Sequence, residues 1–147
     1  MLLRRRLVPS LVAASVLLLA AAPAAADTAL RQRATALLTL DHHAFLLVKA
    51  TAEPPFDGST DGCTSTPEAW ALTFDGPCQQ HDFGYRNLGR GLRLRPTRAG
   101  RAWVDRRFLA ELRRVCAERF AGRTRTACRG RARAMHLAVR LFNPPWS

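Results

Sequence analysis

Apolar positions recur at helical spacing between residues 28 and 50, where Leu30, Ala34, Leu37, Leu38, Phe45 and Val48 share a face and Arg31 and Arg33 fall elsewhere. One amphipathic helix is predicted there. From Glu53 to Gly76 the chain changes to Pro, Gly, Asp, Ser and Thr without a sustained period, which predicts a loop. An irregular stretch of that length in a small domain usually carries function. Pro77 suits the first turn of a second helix running through Cys78, His81, Asp82 and Tyr85 and stopping near Gly89 or Gly91. Thr97 can cap a third helix with Val104, Phe108, Leu112 and Val115 on one face, ended by Gly122. Thr126 can cap a fourth through Met135, Val139 and Phe142, which Pro144-Pro145 terminates. No β-alternation of useful length appears. The pattern predicts an all-α domain of four helices and one long loop.

Upstream of this plan, Arg4, Arg5 and Arg6 precede an apolar run from Leu11 to Ala22 and the small-residue pattern Ala24-Ala25-Ala26. That order predicts an export signal over residues 1–26. Pro9 and Ser10 bound the apolar run and Ser15 interrupts it, which argues against an uncleaved membrane anchor. Residues 27–147 then form one domain, with no room for two. Hydrophobic residues make up 48 % and charged residues 23 % of the chain, so wholesale disorder is excluded. Cys63, Cys78, Cys116 and Cys128 all fall in the exported part, where thiols meet an oxidising compartment. Two disulfides follow, from three possible pairings.

Charge adds a sharper asymmetry. The formal net charge is +12, which favours anionic partners without choosing between lipid and nucleic acid. Between Glu53 and Asp82 there are six acids and no Lys or Arg, whereas from Arg86 to Arg133 sixteen arginines face three acids. An acidic loop in a basic protein suggests a site for a hard cation, because carboxylates and backbone carbonyls are the ligands calcium prefers. His81 and Asp82 follow that loop directly. Neighbouring helix positions project about 100° apart, so one can hold metal while the other handles a proton in the same cleft. Histidine suits removal of a proton from water near neutral pH, and Asp105 on the next long helix can orient it. The plainer alternative pairs Asp105 with Arg101 or Arg106 at the surface.

Ser59-Thr60-Asp61-Gly62-Cys63, the stretch Cys78 to Asn87, and Asp105-x-x-Phe108 leading to Arg114-Val115-Cys116 together resemble the secreted prokaryotic phospholipase A2 family of actinobacteria. The likeness spans residues 56 to 128, and its C-x-x-H-D-x-x-Y element is shared with animal and venom secreted phospholipases A2. It implies a small disulfide-linked helical domain with two central antiparallel helices carrying the site and a long calcium-binding loop. It also implies calcium-dependent hydrolysis of the sn-2 ester of glycerophospholipids. Carried over by position, His81 activates water and Asp105 supports it, Asp61 and Asp82 bind Ca2+ through carboxylates and Gly62 through its carbonyl. Tyr85 supports the dyad. The same comparison pairs Cys63 with Cys78 and Cys116 with Cys128. The first bridge would clamp the loop onto its helix, worth roughly 3 kcal/mol for a loop of about 15 residues. Gly62 departs from the family pattern, which has a bulky apolar residue there, and the glycine-rich calcium loop of the animal enzymes is missing.

The reading is thus a secreted monomer acting on phospholipid membranes or micelles, with no nucleic-acid partner. The alternative is a catalytically inactive cationic protein on the same scaffold, binding membrane or nucleic acid in a toxin-like role. A metal-dependent nuclease needs phosphate-binding residues that the acidic loop lacks. Asp82-Phe83-Gly84 imitates a kinase motif without the other kinase elements, and Cys63, Cys78 and His81 fit no zinc-finger spacing. His42, His43 and His136 are read as surface or boundary residues without a role. Of Trp70, Trp103 and Trp146, which suit a lipid interface, Trp103 is the one expected in the core.

Overall fold

The computed structural model describes residues 21–49, 51, 54–143 and 146. Residues 1–20, most of the expected export signal, and Pro144-Pro145 lie outside them. Among the described residues five α-helices follow one another: α1 (Ala21–Thr39), α2 (His42–Lys49), α3 (Glu68–Gly84), α4 (Arg98–Arg119) and α5 (Gly122–Phe142). A π-helical turn, Tyr85–Gly89, extends α3. No strand occurs among the described residues.

The single helix expected over residues 28–50 is two helices. Asp41 accepts a hydrogen bond from the Ala44 amide through Oδ1 at 2.9 Å and so caps α2, a polar interruption that the apolar period conceals. The carbonyls left open at the end of α1 are taken by side chains from elsewhere. Arg107 Nε donates to Leu38 O at 3.0 Å and its Nη2 to Leu40 O at 2.9 Å, while Gln80 Nε2 donates to Leu40 O at 2.9 Å. The long loop is also shorter than expected, because helix resumes at Glu68. Phe74 breaks it with φ of −113° and ψ of 16°, and Pro77 lies in the segment after that kink. Thr97 caps α4 as expected, its Oγ1 accepting from Gly100 N at 2.9 Å. The chain then turns at Phe120–Gly122 and α5 starts at once, so Thr126 sits inside the helix.

α3 and α4 run antiparallel: contacts that climb one descend the other, from Thr73 with Arg119 through His81 with Asp105 to Tyr85 with Arg101. α4 and α5 are antiparallel by the same reasoning, since Arg101 meets Val139 and Cys116 meets Cys128. Gly84 sets the spacing of α3 and α4, because a Cβ there would lie 2.7 Å from Val104 Cγ1. Disulfides join Cys63 to Cys78 and Cys116 to Cys128, with Cα separations of 5.4 and 5.6 Å. The first ties the loop to α3 and the second ties α4 to α5. One apolar cluster gathers Phe45, Phe83, Leu88, Val104 and Trp146, the other Phe74, Phe108, Leu112, Val115 and Met135. Trp146 rather than Trp103 fills the core. Trp103 and Trp70 are half-buried beneath Arg95 and Arg131.

Candidate active site

His81 is placed one helical turn after the disulfide-held Cys78, on the face of α3 that meets α4. Its Nε2 lies 3.0 Å from Asp105 Oδ1, and both residues are buried, at 7 % and 2 % exposure. A carboxylate accepts, so Nε2 carries the proton and Nδ1 keeps the lone pair. Tyr85, one turn beyond His81, donates its hydroxyl to the same Asp105 oxygen at 2.9 Å. Arg101, one turn before Asp105, donates Nε to the Tyr85 hydroxyl at 3.1 Å and stands 3.8 Å from Asp105 Oδ2. Arg101 is itself held by the Val139 and Arg140 carbonyls of α5. Sequence reasoning set Arg101 against His81 as rival partners of Asp105, and the structure uses both. The imidazole is also packed between the Tyr85 and Phe108 rings, with centroids at 4.4 and 4.5 Å.

These contacts set the electrostatics. Burial pushes the Asp105 carboxyl up, but the hydrogen bonds from His81 and Tyr85 and the Arg101 charge outweigh it and hold it below the ordinary value. Burial pushes the Tyr85 phenol up, so it remains a donor. Asp105 is thereby an anion fixed beside the imidazole, suited to stabilise an imidazolium.

Asp82 leaves α3 at a different angle and meets the loop. Its Oδ2 accepts from Thr60 Oγ1 at 2.5 Å and from the Asp61 amide at 3.1 Å, and Gly62 N donates to Thr60 Oγ1 at 2.9 Å. Thr60 therefore stitches the turn that carries Asp61 and Gly62 to the helix that carries Asp82. Gly62 takes φ of +67°, in the left-handed region, and a Cβ there would touch nothing within 4 Å. The backbone conformation, not lack of space, explains glycine at this position. Burial raises the Asp82 carboxyl above its ordinary range; the Thr60 bond opposes this and the Asp61 carboxylate adds to it. Arg86 Nη2 is 3.6 Å from Asp61 Oδ1, and Arg90 lines the same cleft. Two neighbouring carboxylates beside a backbone carbonyl fit a hard divalent cation by the chemistry of their donors.

His81, Asp82, Asp61 and Gly62 all line one cleft of about 810 Å³. Its other side is apolar, formed by Phe108, Met135, Val139 and Phe142. Asn87, to which sequence reasoning gave no role, fixes the loop from beneath. Its Oδ1 accepts from Asp57 N, and its Nδ2 donates to Asp57 O and Phe83 O, each at 2.9 Å, with the side chain fully buried. A lone polar residue near the end of a helical motif was the available signal.

A histidine and an acidic turn meeting in an apolar-walled cleft, on disulfide-braced antiparallel helices, define a phospholipase A2-type domain. The chain belongs to the prokaryotic phospholipase A2 family, whose model matches residues 34–143. It is 40 % identical over 81 residues to the secretory phospholipase A2 of Arthroderma benhamiae, covering 53 % of this chain and 52 % of that protein. It is 32 % identical over 87 residues to the secretory phospholipase A2 of Beauveria bassiana, covering 58 % and 43 %. The chain thus spans about half the length of these curated relatives.

Proposed function

We propose that the protein is a secreted, calcium-dependent phospholipase A2 that hydrolyses the sn-2 ester of glycerophospholipids with His81 as the base. The observation that carries this reading is the shared cleft: His81 and the Asp61–Asp82 pair line the same cavity from adjacent positions. His81 Nδ1 takes the proton of the attacking water and returns it to the sn-2 alkoxide as the ester C–O bond breaks, while Nε2–H stays hydrogen-bonded to Asp105, which stabilises the imidazolium between the two transfers. Tyr85 and Arg101 hold Asp105 so that it cannot swing away from the ring. No covalent enzyme intermediate is involved. Asp61 and Asp82 would hold Ca2+ through their carboxylates and Gly62 through its carbonyl. The bound ion supplies polarisation of the ester carbonyl and stabilisation of the oxyanion. Phe108, Met135, Val139 and Phe142 offer apolar contact to an acyl chain.

The likeness to two secretory phospholipases A2 supports secretion and phospholipase A2 activity. The order of cationic, apolar and small residues over 1–26 supports export by a cleaved signal. The test uses phosphatidylcholine vesicles with an isotope label in the sn-2 chain. Calcium-dependent appearance of labelled fatty acid and unlabelled lysophospholipid is expected. Label retained in the lysophospholipid, or release unchanged in His81→Ala, overturns the reading.

A further inference from the structure

Outside the cleft, a second group of ligating side chains has formed between α2 and α4. His42, His43 and Glu118 each offer one ligand atom, and these atoms all lie within 4.8 Å of one another. We propose that this group is a binding site for a first-row divalent ion of the Zn2+ type, separate from the calcium-type carboxylate pair and joining α2 to α4.

The donor set is two imidazoles and one carboxylate. Such nitrogen-rich sets suit Zn2+, Ni2+ or Cu2+, whereas calcium takes oxygen ligands. The two rings already lie side by side, with centroids 3.9 Å apart and planes inclined at 38°, and His43 Nε2 lies 3.1 Å from Glu118 Oε2. The ring of His42 is fixed from behind. Its Nδ1 is 3.1 Å from Glu111 Oε2, an oxygen that also takes the His42 amide, while Arg107 and Arg114 each reach Glu111 at 3.0 Å. With Nδ1 donating to that carboxylate, the other nitrogen of His42 keeps the lone pair. A carboxylate on the far side of a ligating histidine is the arrangement that orients metal-bound imidazoles and raises their basicity. The site is also graded in depth: the His42 side chain is 5 % exposed, whereas those of His43 and Glu118 are 65 % and 41 % exposed. An ion can therefore enter from solvent and meet one buried, preset ligand and two exposed ones. Three protein ligands leave further positions for water.

The experiment is a calorimetric titration of Zn2+ into the full chain saturated with Ca2+, so that the cleft carboxylates are occupied. One Zn2+ per chain is expected. His43→Ala and Glu118→Gln should each weaken it by at least the roughly 10–100-fold typical for losing an outer-shell partner, since both are direct ligands. Asp82→Asn should bind Zn2+ as the wild type does, and His43→Ala should release fatty acid from vesicles as the wild type does without Zn2+. Zn2+ should also raise the Tm of the wild type and leave that of His43→Ala unmoved, because an ion that binds only the folded state stabilises it. Wild-type affinity no tighter than that of His43→Ala overturns the proposal, as does Zn2+ binding that is lost in Asp82→Asn.

Discussion

Asp105 shows how much a single side chain draws on its surroundings. Three groups, His81, Tyr85 and Arg101, converge on its two oxygens; Tyr85 lies four residues beyond His81, and Arg101 four residues before Asp105 on the other helix. Asp105→Asn keeps the shape but offers the ring an ambiguous partner, so kcat should fall by about 10²–10⁴ with calcium affinity unchanged. Steady-state rates on vesicles alongside a calcium titration separate the two effects. Glu111 is a second buried carboxylate, and its consequence is stability. Burial pushes it up, but the bonds from His42 and the Arg114 and Arg107 charges outweigh burial and hold it below its ordinary value of 4.5. A folded-state value below the unfolded one means the contribution is complete above pH 4.5 and disappears as pH falls through the folded value. Glu111→Gln should therefore cost about 3–5 kcal/mol near neutral pH, the range for breaking a buried pair. It should also flatten the fall of Tm with acid below pH 4.5. Thermal melts of both proteins across that range check the sign.

Elements were unevenly legible in the sequence. The helix after Pro77 was readable, and with it His81 and Asp82, because proline, the cysteine and the paired site residues are all local signals. The break at Asp41 was not, because Leu38 and Phe45 keep one apolar rhythm across it and only a side-chain cap interrupts the helix. Helix before Phe74 was missed for a related reason: Trp70 and Phe74 are the buried or half-buried anchors there, too few to show a period amid Asp, Thr and Gly. Asn87 and Glu111 draw on partners distant in sequence, Asp57 and His42, which no spacing reveals, whereas Arg101 was legible only as a surface partner of Asp105. Gly84 was likewise silent until its neighbour across the α3–α4 seam was known. Gly84→Ala puts a methyl against Val104 and should push the helices apart at the level of the dyad. A loss of about 1–3 kcal/mol is expected, as for other overpacked cores. Denaturant unfolding measures it, and trimming Val104 to Ala in the same chain should recover part of it.

Across the whole molecule, charge and cross-linking divide the labour. The loop that carries Asp61 and Gly62 is held by the Cys63–Cys78 bridge, by Thr60 and by Asn87, so its carboxylate arrives in place. Replacing both cysteines by serine should cost about 2–4 kcal/mol, since the bridge acts chiefly by restricting the unfolded chain. It should also weaken calcium binding, because the loop must then be ordered on binding. The net charge of +12 favours anionic lipid surfaces, an attraction that salt screens. The central claim is that one imidazole and one divalent ion act on the same ester from one cleft. Its most direct test is the calcium dependence of fatty-acid release from vesicles by the wild type and by Asp82→Asn. The account predicts saturable activation of the wild type, abolished by chelator, and a curve for Asp82→Asn displaced by tenfold or more or lost altogether. Release that persists in chelator, or superimposable curves for the two proteins, would contradict it.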